Sequence, residues 1–250
     1  MKSKLGQNFL TDVNTAIREV KHADITKKDV VLEVGPGKGV LTKLLAEKAK
    51  KVIAVEIDTR LIDHLNNIVP NNVELINNDI LKIDSEELPE FNKIVSNLPY
   101  QISSPFIFKM LEYDFDLAVL VLQKEFAQRL VAEPGEKDYS RISVSLFYKA
   151  YCELLEIVPK GRFKPIPKVD SAMIKILPRK YKPFELDDEE FFFKLVKNLF
   201  NHRRKKIKTI LKNKYRIESK ELPFLEYRVE KLDPKQIGIL SNHLKKTLEK

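Results

Sequence analysis

The chain is poor in several residue types, and each shortage narrows what the protein can be. Its 250 residues include no tryptophan and a single cysteine, Cys152, so an internal disulfide is excluded. No apolar run approaches the ~20 residues that a membrane-spanning helix needs. Cys152 stands among apolar residues, and we expect it to be a buried hydrophobic side chain instead of a nucleophile.

Histidine is scarce as well, because the chain has only four, scattered without the spacing of metal ligands. We therefore expect no metal site and no metal cofactor. The first residues lack the apolar core of a signal peptide, which together with the lone cysteine favours a cytoplasmic protein. A hydrophobic fraction of 43% is enough to build one sizeable domain and a smaller one.

Positive charge is plentiful and unevenly placed. The formal net charge is +9, and residues 194–220 hold eleven Lys or Arg against one acid, Glu218. The centre of this run is Arg203, Arg204, Lys205, Lys206 and Lys208. Charge runs are often only solvated faces, but this one follows a helical pattern with its own apolar stripe. A folded basic face attracts phosphates, so we expect nucleic acid as the partner, with an anionic membrane surface as the alternative.

Short apolar runs alternate with helical patterns over the first ~180 residues. They predict strands at 30–34, 52–55, 73–76, 94–96 and 117–122, and helices at 38–49, 58–68 and 102–112. Nearly continuous apolar strands between helices are typical of a parallel α/β sheet covered on both faces. Two more strands, at 152–158 and 171–177, bring the sheet to seven, and we expect them to be antiparallel because the Pro-rich link between them holds no crossover helix.

The composition changes near residue 183, where we place a domain boundary. From Asp187 onward the pattern predicts helices only, at 188–199, 203–213 and 234–248. We therefore expect a catalytic domain over 1–183 and a small, all-α, basic domain over 184–250.

Three of the seven glycines fall at 35, 37 and 39, between a predicted strand and a predicted helix. The spacing is neither that of dinucleotide-binding folds nor that of a Walker phosphate loop. Glu56 ends the next strand, where a carboxylate can accept from ribose hydroxyls. Asp79 ends the third, where it can accept from an adenine amine or simply cap a loop. Acids at consecutive strand ends indicate an adenosine-bearing ligand, and the glycine spacing favours S-adenosylmethionine over NAD.

The segment Asn97-Leu98-Pro99-Tyr100 follows the fourth predicted strand. The amine of a nucleobase is a weak nucleophile, because its lone pair is delocalised into the ring. The Asn97 side-chain oxygen and the Leu98 carbonyl, in a turn stiffened by Pro99, can orient such an amine toward a methyl donor. Tyr100 on one side and Phe163 on the other can stack on the base. The alternatives are a helix-capping Asn97 and plain core aromatics, although Phe163 stands in a basic segment that we expect to be exposed.

Together these motifs resemble the rRNA adenine dimethyltransferase family, of the kasugamycin-sensitivity type and its archaeal and eukaryotic relatives. The resemblance covers most of the chain and rests on residues 5–10, 33–42, 55–58, 78–81, 97–105, 123–130, 163–171 and 200–205. It implies a Rossmann-like class I methyltransferase fold, and it implies S-adenosylmethionine as the cofactor.

The resemblance also implies roles for individual residues. Gln7, Asn8 and Leu10 would touch the methionine part of the cofactor, with the turn at Gly35 and Gly37 beneath it. Glu56 would hold the ribose and Asp79 the adenine, between Ile57 and Ile80, while Asn97 would touch both cofactor and target. The implied product is dimethyladenosine at two adjacent adenines near the 3′ end of small-subunit rRNA. The implied partners are that rRNA and the assembling small ribosomal subunit, bound by a monomer.

Two other functions remain open at this point. The first is a non-catalytic nucleic-acid-binding factor on the same fold, acting in ribosome assembly or transcription. The second is a methyltransferase acting on DNA or on large-subunit rRNA.

Overall fold

The structure, a computed structural model, describes residues 7–218 and 221–249. Leu5 and Gly6, at the start of the first family motif, and Lys220 in the basic run lie outside these ranges. Two compact units are present. The first comprises the chain up to Ala127 together with Cys152–Pro178, and the second comprises Gln128–Tyr151 together with the chain from Arg179 onward.

The elements are numbered in chain order. The strands are β1 (Phe9–Leu10), β2 (Val30–Val34), β3 (Lys51–Glu56), β4 (Val73–Asn77), β5 (Lys93–Asn97), β6 (Leu117–Gln123), β7 (Ala150–Val158), β8 (Phe163–Lys164) and β9 (Ser171–Pro178). The helices are α1 (Val13–His22), α2 (Val40–Lys48), α3 (Thr59–Asn66), α4 (Ser103–Met110), α5 (Lys124–Val131), α6 (Arg141–Lys149), α7 (Glu189–Phe200), α8 (Ile207–Tyr215) and α9 (Pro234–Leu248).

The main sheet has seven strands in the order β4-β3-β2-β5-β6-β9-β7, which confirms the predicted α/β class. Strands β2 to β6 run parallel to one another. Strand β9 pairs with β6 and runs antiparallel to it. The strand order reverses between β2 and β5, and such a switch point opens a crevice at the carboxyl ends of the strands.

The sheet is buried on both faces, as its continuous apolar strands predict. Leu32 and Ile94 lie on one face, Val31 and Val95 lie on the other, and all four are fully buried. Burying side chains of this size stabilises the fold by about 1.5–3 kcal/mol each relative to exposure, so the sheet is a rigid support for residues at its edge.

Helices α1, α5 and α6 and the short ladder of β1 with β8 were not predicted. Helix α1 begins after Asp12, whose carboxylate accepts from the Thr15 N–H at 3.0 Å. Its pattern is ambiguous because Val13 and Ile17 are exposed while the acid Glu19 is fully buried. Strands β1 and β8 pair antiparallel, with Leu10 opposite Phe163, although about 150 residues of chain separate them. Sequence periodicity carries no information on such a distant pairing.

The second unit is helical, and the three helices predicted after Asp187 are present. The second of them was predicted to begin at residue 203, which is wrong, because α8 begins at Ile207. Lys206 is extended and forms an isolated β-bridge with Arg228, and the Ile207 N–H donates to the Tyr227 carbonyl at 2.9 Å. This non-local pairing holds Arg203–Lys206 in a turn before the helix.

The structure groups Gln128–Tyr151 with the second unit, whereas the sequence placed this segment in the first domain. Tyr139 is 1% exposed, and its hydroxyl donates to the Leu232 carbonyl at 2.9 Å. Since this anchor joins residues 93 positions apart, it leaves no local mark in the sequence. Within the ranges that the structure describes, no helix is long and apolar enough to cross a membrane.

Candidate active site

A cavity of about 180 Å³ lies at the carboxyl edge of the sheet in the first unit. It brings together almost every predicted site residue of that unit. The predicted residues that line it are Gln7, Asn8, Gly35, Gly37, Glu56, Ile57, Asp79, Ile80, Asn97, Leu98, Pro99, Tyr100 and Phe163. Leu10 is the exception, because its side chain is 7% exposed and packs in the hydrophobic core. Phe9, its neighbour, lines the cavity instead and was not predicted.

The glycine turn between β2 and α2 forms one wall of the cavity. Gly37 has φ +57°, a conformation that side chains with a Cβ rarely adopt. A Cβ on Gly37 would lie 2.8 Å from Cδ1 of Phe9, and one on Gly35 would lie 3.0 Å from Cγ of Pro99. The two glycines therefore let side chains of the cavity wall pack against the turn, Phe9 against Gly37 and Pro99 of the Asn97–Tyr100 segment against Gly35.

Glu56 ends β3 and is 4% exposed. Its two oxygens accept from the N–H of Asp58 at 3.0 Å and from the N–H of Gly37 at 3.3 Å. Burial raises the pKa of Glu56 above its ordinary value, although these backbone bonds oppose the shift. The carboxyl group is thus fixed at the cavity wall, where hydroxyl donors of a ligand can reach it.

Asp79 follows β4 and lines the cavity between the exposed Ile57 and the buried Ile80. Its Oδ1 accepts from the Leu81 N–H at 3.0 Å, as in the loop-capping alternative. Because a carboxylate can accept several hydrogen bonds, this cap leaves Asp79 able to accept from a ligand amine as well.

Asn97 is the last residue of β5 and makes no capping bond to a following helix, since neither the turn at Tyr100–Ile102 nor α4 is capped by a side chain. Its Nδ2 donates to Oε2 of Glu19 at 3.3 Å. Its Oδ1 is buried and has no hydrogen-bond partner in the described part of the chain. A buried amide oxygen without a donor costs about 1–3 kcal/mol, so this atom is ready to accept from a ligand.

Tyr100 and Phe163 line the same cavity. The Tyr100 hydroxyl lies 2.7 Å from Oγ of the buried Ser171, which fixes the tilt of the ring. Phe163 is 2% exposed, so the expectation that its segment is exposed is wrong for this ring. Its neighbours in the sequence are exposed, but the pairing of β8 with β1 turns Phe163 inward. The ring is therefore both a core side chain and a wall of the cavity.

Beneath the cavity lies a group of buried polar side chains that the sequence analysis did not predict. Oε1 of Glu19 and Oδ1 of Asn97 are buried without a hydrogen-bond partner among the described residues, and Glu33 is buried beside Thr42. Burial raises the pKa of Glu33 to about 8 and that of Glu19 well above its ordinary value. Glu33 stands beside the glycine motif, but nothing in the local sequence marks Glu19 as a polar core residue.

This cavity suits an adenosine-bearing, cationic ligand. The glycine turn lies at the cavity wall, and Glu56 and Asp79 offer acceptors for the hydroxyls and amine of such a ligand. The positive charge of a sulfonium group is compatible with these two acceptors. No cluster of three or more metal-ligating side chains occurs within residues 7–218 and 221–249.

Of the five basic residues predicted to bind nucleic acid, three form ion pairs within the described part of the protein and two do not. Arg203 pairs with Glu230 at 3.0 Å and also donates to the Lys137 carbonyl at 2.9 Å. Lys206 and Lys208 both pair with Glu226, at 2.8 and 2.6 Å. Arg204 and Lys205 are exposed, and neither has an ion-pair partner among the residues described. These two are the cations most available to a phosphate.

Comparisons with known proteins identify relatives of the whole chain. The model of the family "Ribosomal RNA adenine dimethylase" matches residues 1–246. A "Probable ribosomal RNA small subunit methyltransferase A" of Thermococcus onnurineus is 45% identical, over 97% of this chain and 92% of the relative.

Two solved structures extend the comparison. A dimethyladenosine transferase from Plasmodium falciparum is 28% identical, covers 95% of this chain and 98% of its own, and superposes with a TM-score of 0.82. The 23S rRNA methyltransferase ErmE is 29% identical, covers 95% and 100%, and superposes with a TM-score of 0.70.

Proposed function

This chain belongs to the ribosomal RNA adenine dimethylase family, and we propose that it dimethylates the exocyclic amines of two adjacent adenosines near the 3′ end of small-subunit rRNA. The name of the Thermococcus onnurineus relative supports the small subunit as the substrate. The methyl donor we propose is S-adenosylmethionine, and the partners we propose are small-subunit rRNA and the assembling small subunit. The methyltransferase family implies such a donor, and the cavity has the acceptors that it needs.

We assign the cofactor to the cavity walls that the glycine turn and the strand ends form. Glu56 would accept from the ribose hydroxyls, and Asp79 from the adenine amine, with Ile57 and Ile80 against the ring. Gln7 and Asn8 would bind the methionine part, and Gly35 and Gly37 would let it lie against the backbone. When bound, this group supplies an electrophilic methyl on a positively charged sulfur.

The protein's own residues then have to help a poor nucleophile, the exocyclic amine of adenosine, to attack the methyl group. An amine hydrogen donated to Oδ1 of Asn97, and the other donated to the Leu98 carbonyl, would turn the nitrogen lone pair toward the donor. Tyr100 and Phe163 would clasp the base, with stacking worth about 1–3 kcal/mol per base. No strong general base is required, because the amine becomes far more acidic as the new bond forms, and water can take its proton.

One observation supports this proposal most directly. Oδ1 of Asn97 is a buried acceptor without a partner among the described residues, and Asn97 lines the cavity together with two aromatic residues, Tyr100 and Phe163. Such a site suits a planar ligand that carries an amine hydrogen. The adenosine must leave its stack, or already lie in a loop, to enter the cavity.

The change Asn97→Ala tests the mechanism. We expect the rate of transfer to fall by about 10²–10³-fold, because the variant loses the acceptor that orients the amine. The measurement is mass spectrometry of nucleosides from unmethylated small subunits incubated with enzyme and S-adenosylmethionine. The affinity for the cofactor and the melting temperature serve as controls and should stay close to those of the wild type. Unchanged turnover in the variant would refute this role of Asn97.

The similarity to ErmE favours one alternative, a methyltransferase acting on large-subunit rRNA. The same experiment, run with large-subunit rRNA in place of small subunits, separates the two. We expect dimethyladenosine only with the small-subunit substrate. Product on neither substrate would leave the non-catalytic assembly factor as the function of this fold.

A further inference from the structure

Glu19 is an acid in a place where acids are rare. It stands on α1, is 0% exposed, and no cation pairs with it among the residues that the structure describes. Arg18, the preceding residue, donates its Nε instead to the carboxylate of Glu156, at 2.9 and 3.0 Å. A buried carboxyl without such compensation lowers the stability of a fold. This cost indicates that Glu19 has another use.

The Glu19 carboxyl receives a hydrogen bond from a proposed catalytic residue. Its Oε2 accepts from Nδ2 of Asn97 at 3.3 Å. An asparagine amide carries a donor on one side and an acceptor on the other, and the two ends have almost the same shape. Engaging Nδ2 on the core side therefore leaves Oδ1, the unpaired atom, for the other side.

We propose that Glu19 is a positioning residue for methyl transfer, which holds the Asn97 amide with Nδ2 directed away from the target amine and Oδ1 available to it. This inference rests on the proposed role of Asn97 as the acceptor for that amine. Without Glu19, the amide would lose the contact that distinguishes its two ends. A turned amide would present Nδ2 to the target. Because Nδ2 and the target amine are both hydrogen-bond donors, Asn97 could not then orient the amine.

The charge state of Glu19 decides which substitution preserves its hydrogen bond to Asn97. Burial raises the pKa of Glu19, the hydrogen bond from Asn97 lowers it, the charges of Glu33 and Glu156 raise it further, and that of Arg18 lowers it. The net shift is upward, so the neutral carboxyl is favoured, and it still offers a carbonyl oxygen to Asn97. Glutamine is neutral, has the same shape and offers the same oxygen.

The test compares Glu19→Gln with Glu19→Leu, using single-turnover methylation of small subunits with enzyme in excess. We expect Glu19→Leu to lower the rate by about 10–100-fold, the same order as the loss when the hydrogen-bond partner of a metal-ligating side chain is removed. Its affinity for S-adenosylmethionine should change by less than about threefold. Glu19→Gln should restore the rate to within about threefold of the wild type, since it keeps the acceptor.

A double-mutant cycle separates positioning from a general effect on the fold. In an Asn97→Ala background, Glu19→Leu should change the residual rate by less than about twofold, because there is no amide left to orient. A structural role would lower the rate equally in both backgrounds. Tyr113→Phe removes a different buried hydroxyl that has no partner in the described chain, and should leave the rate unchanged.

Each outcome is decisive. A wild-type rate in Glu19→Leu, a rate in Glu19→Gln as low as in Glu19→Leu, or additive losses in the cycle would overturn the inference. If Glu19→Leu does not fold, Glu19→Met keeps the length of the side chain without its oxygens and takes its place in the same comparison. A wild-type protein that transfers no methyl group would refute the proposed function itself, which is a separate result.

Discussion

At the scale of single residues, the site depends on polar groups held where water cannot reach them. Glu33 is 2% exposed, stands on β2 beneath the glycine turn, and has no cation as an ion-pair partner in the described structure. Burial raises its pKa from an ordinary 4.5 to about 8. The acid therefore costs stability whenever it is ionised, and its cost depends on pH.

This cost predicts the pH dependence of folding. The unfolded chain releases the proton of Glu33 near pH 4.5 and the folded chain near pH 8, so the free energy of unfolding falls as the pH rises between these values. Glu33→Gln removes the effect, and we expect it to be more stable than the wild type at pH 8.5, by on the order of 2–4 kcal/mol, but not at pH 4.5. Urea unfolding of the cofactor-free protein at both pH values measures this.

The exposed Glu47→Gln is the matched control, and it should give the same difference from the wild type at both pH values. A Glu33→Gln variant that is no more stable at pH 8.5 than at pH 4.5, relative to the wild type, would show that Glu33 is not the group responsible.

At the scale of elements, the cavity exists because short turns follow buried strands. The turn after β2 needs glycine, since Gly37 has φ +57° and its Cα faces the Phe9 ring. Strand β1 carries that ring, and β8 carries Phe163 opposite Leu10. A change in the turn should therefore disturb a wall of the cavity that comes from a distant part of the chain.

Gly37→Ala tests this coupling. A residue with a Cβ in the left-handed region costs about 1–2 kcal/mol, and the new Cβ would push on Phe9 at 2.8 Å. We expect the dissociation constant of S-adenosylmethionine to rise about tenfold or more, as measured by isothermal titration calorimetry. Gly161→Ala, where an added Cβ meets nothing within 4 Å, should bind the cofactor like the wild type. Equal binding by all three proteins would contradict the proposed cofactor site.

At the scale of the whole molecule, the two units differ sharply in charge. Counted over the sequence, the segments of the second unit hold 24 Lys or Arg and 14 Asp or Glu, a net +10. Those of the first hold 21 and 22, a net −1. The whole excess of positive charge therefore belongs to the second unit, and we expect RNA affinity to depend mainly on it.

The double change Arg204→Glu and Lys205→Glu tests that expectation. We expect weaker RNA binding, with the slope of log K against log salt reduced by about one for each phosphate that the variant no longer neutralises. Filter binding over a range of salt concentrations measures both, and the affinity for the cofactor should not change. Lys28→Glu with Lys50→Glu makes the same change in net charge at exposed sites of the first unit. If that control weakened RNA binding equally, net charge alone would explain the effect.

Arg203 is unsuited to this test. It pairs with Glu230 and donates to the Lys137 carbonyl, so its replacement would disturb the fold of the second unit as well as its charge. The sequence presents Arg203 and Arg204 as equivalent neighbours, and only their partners in space distinguish them.

The sequence by itself determined the α/β class, the positions of the seven sheet strands and the cavity residues at the glycine turn and the strand ends. It did so because apolar runs, turn glycines and strand-end acids are local patterns, and because parallel strands bring their carboxyl ends to one edge. Gln7, Asn8, Ile57 and Ile80 came only from the resemblance to a family. The tertiary structure alone decided that Phe163 faces inward, that Arg203 is paired, and that Glu19 lies under Asn97. These facts depend on contacts between residues far apart in the chain, and neither periodicity nor composition records such contacts.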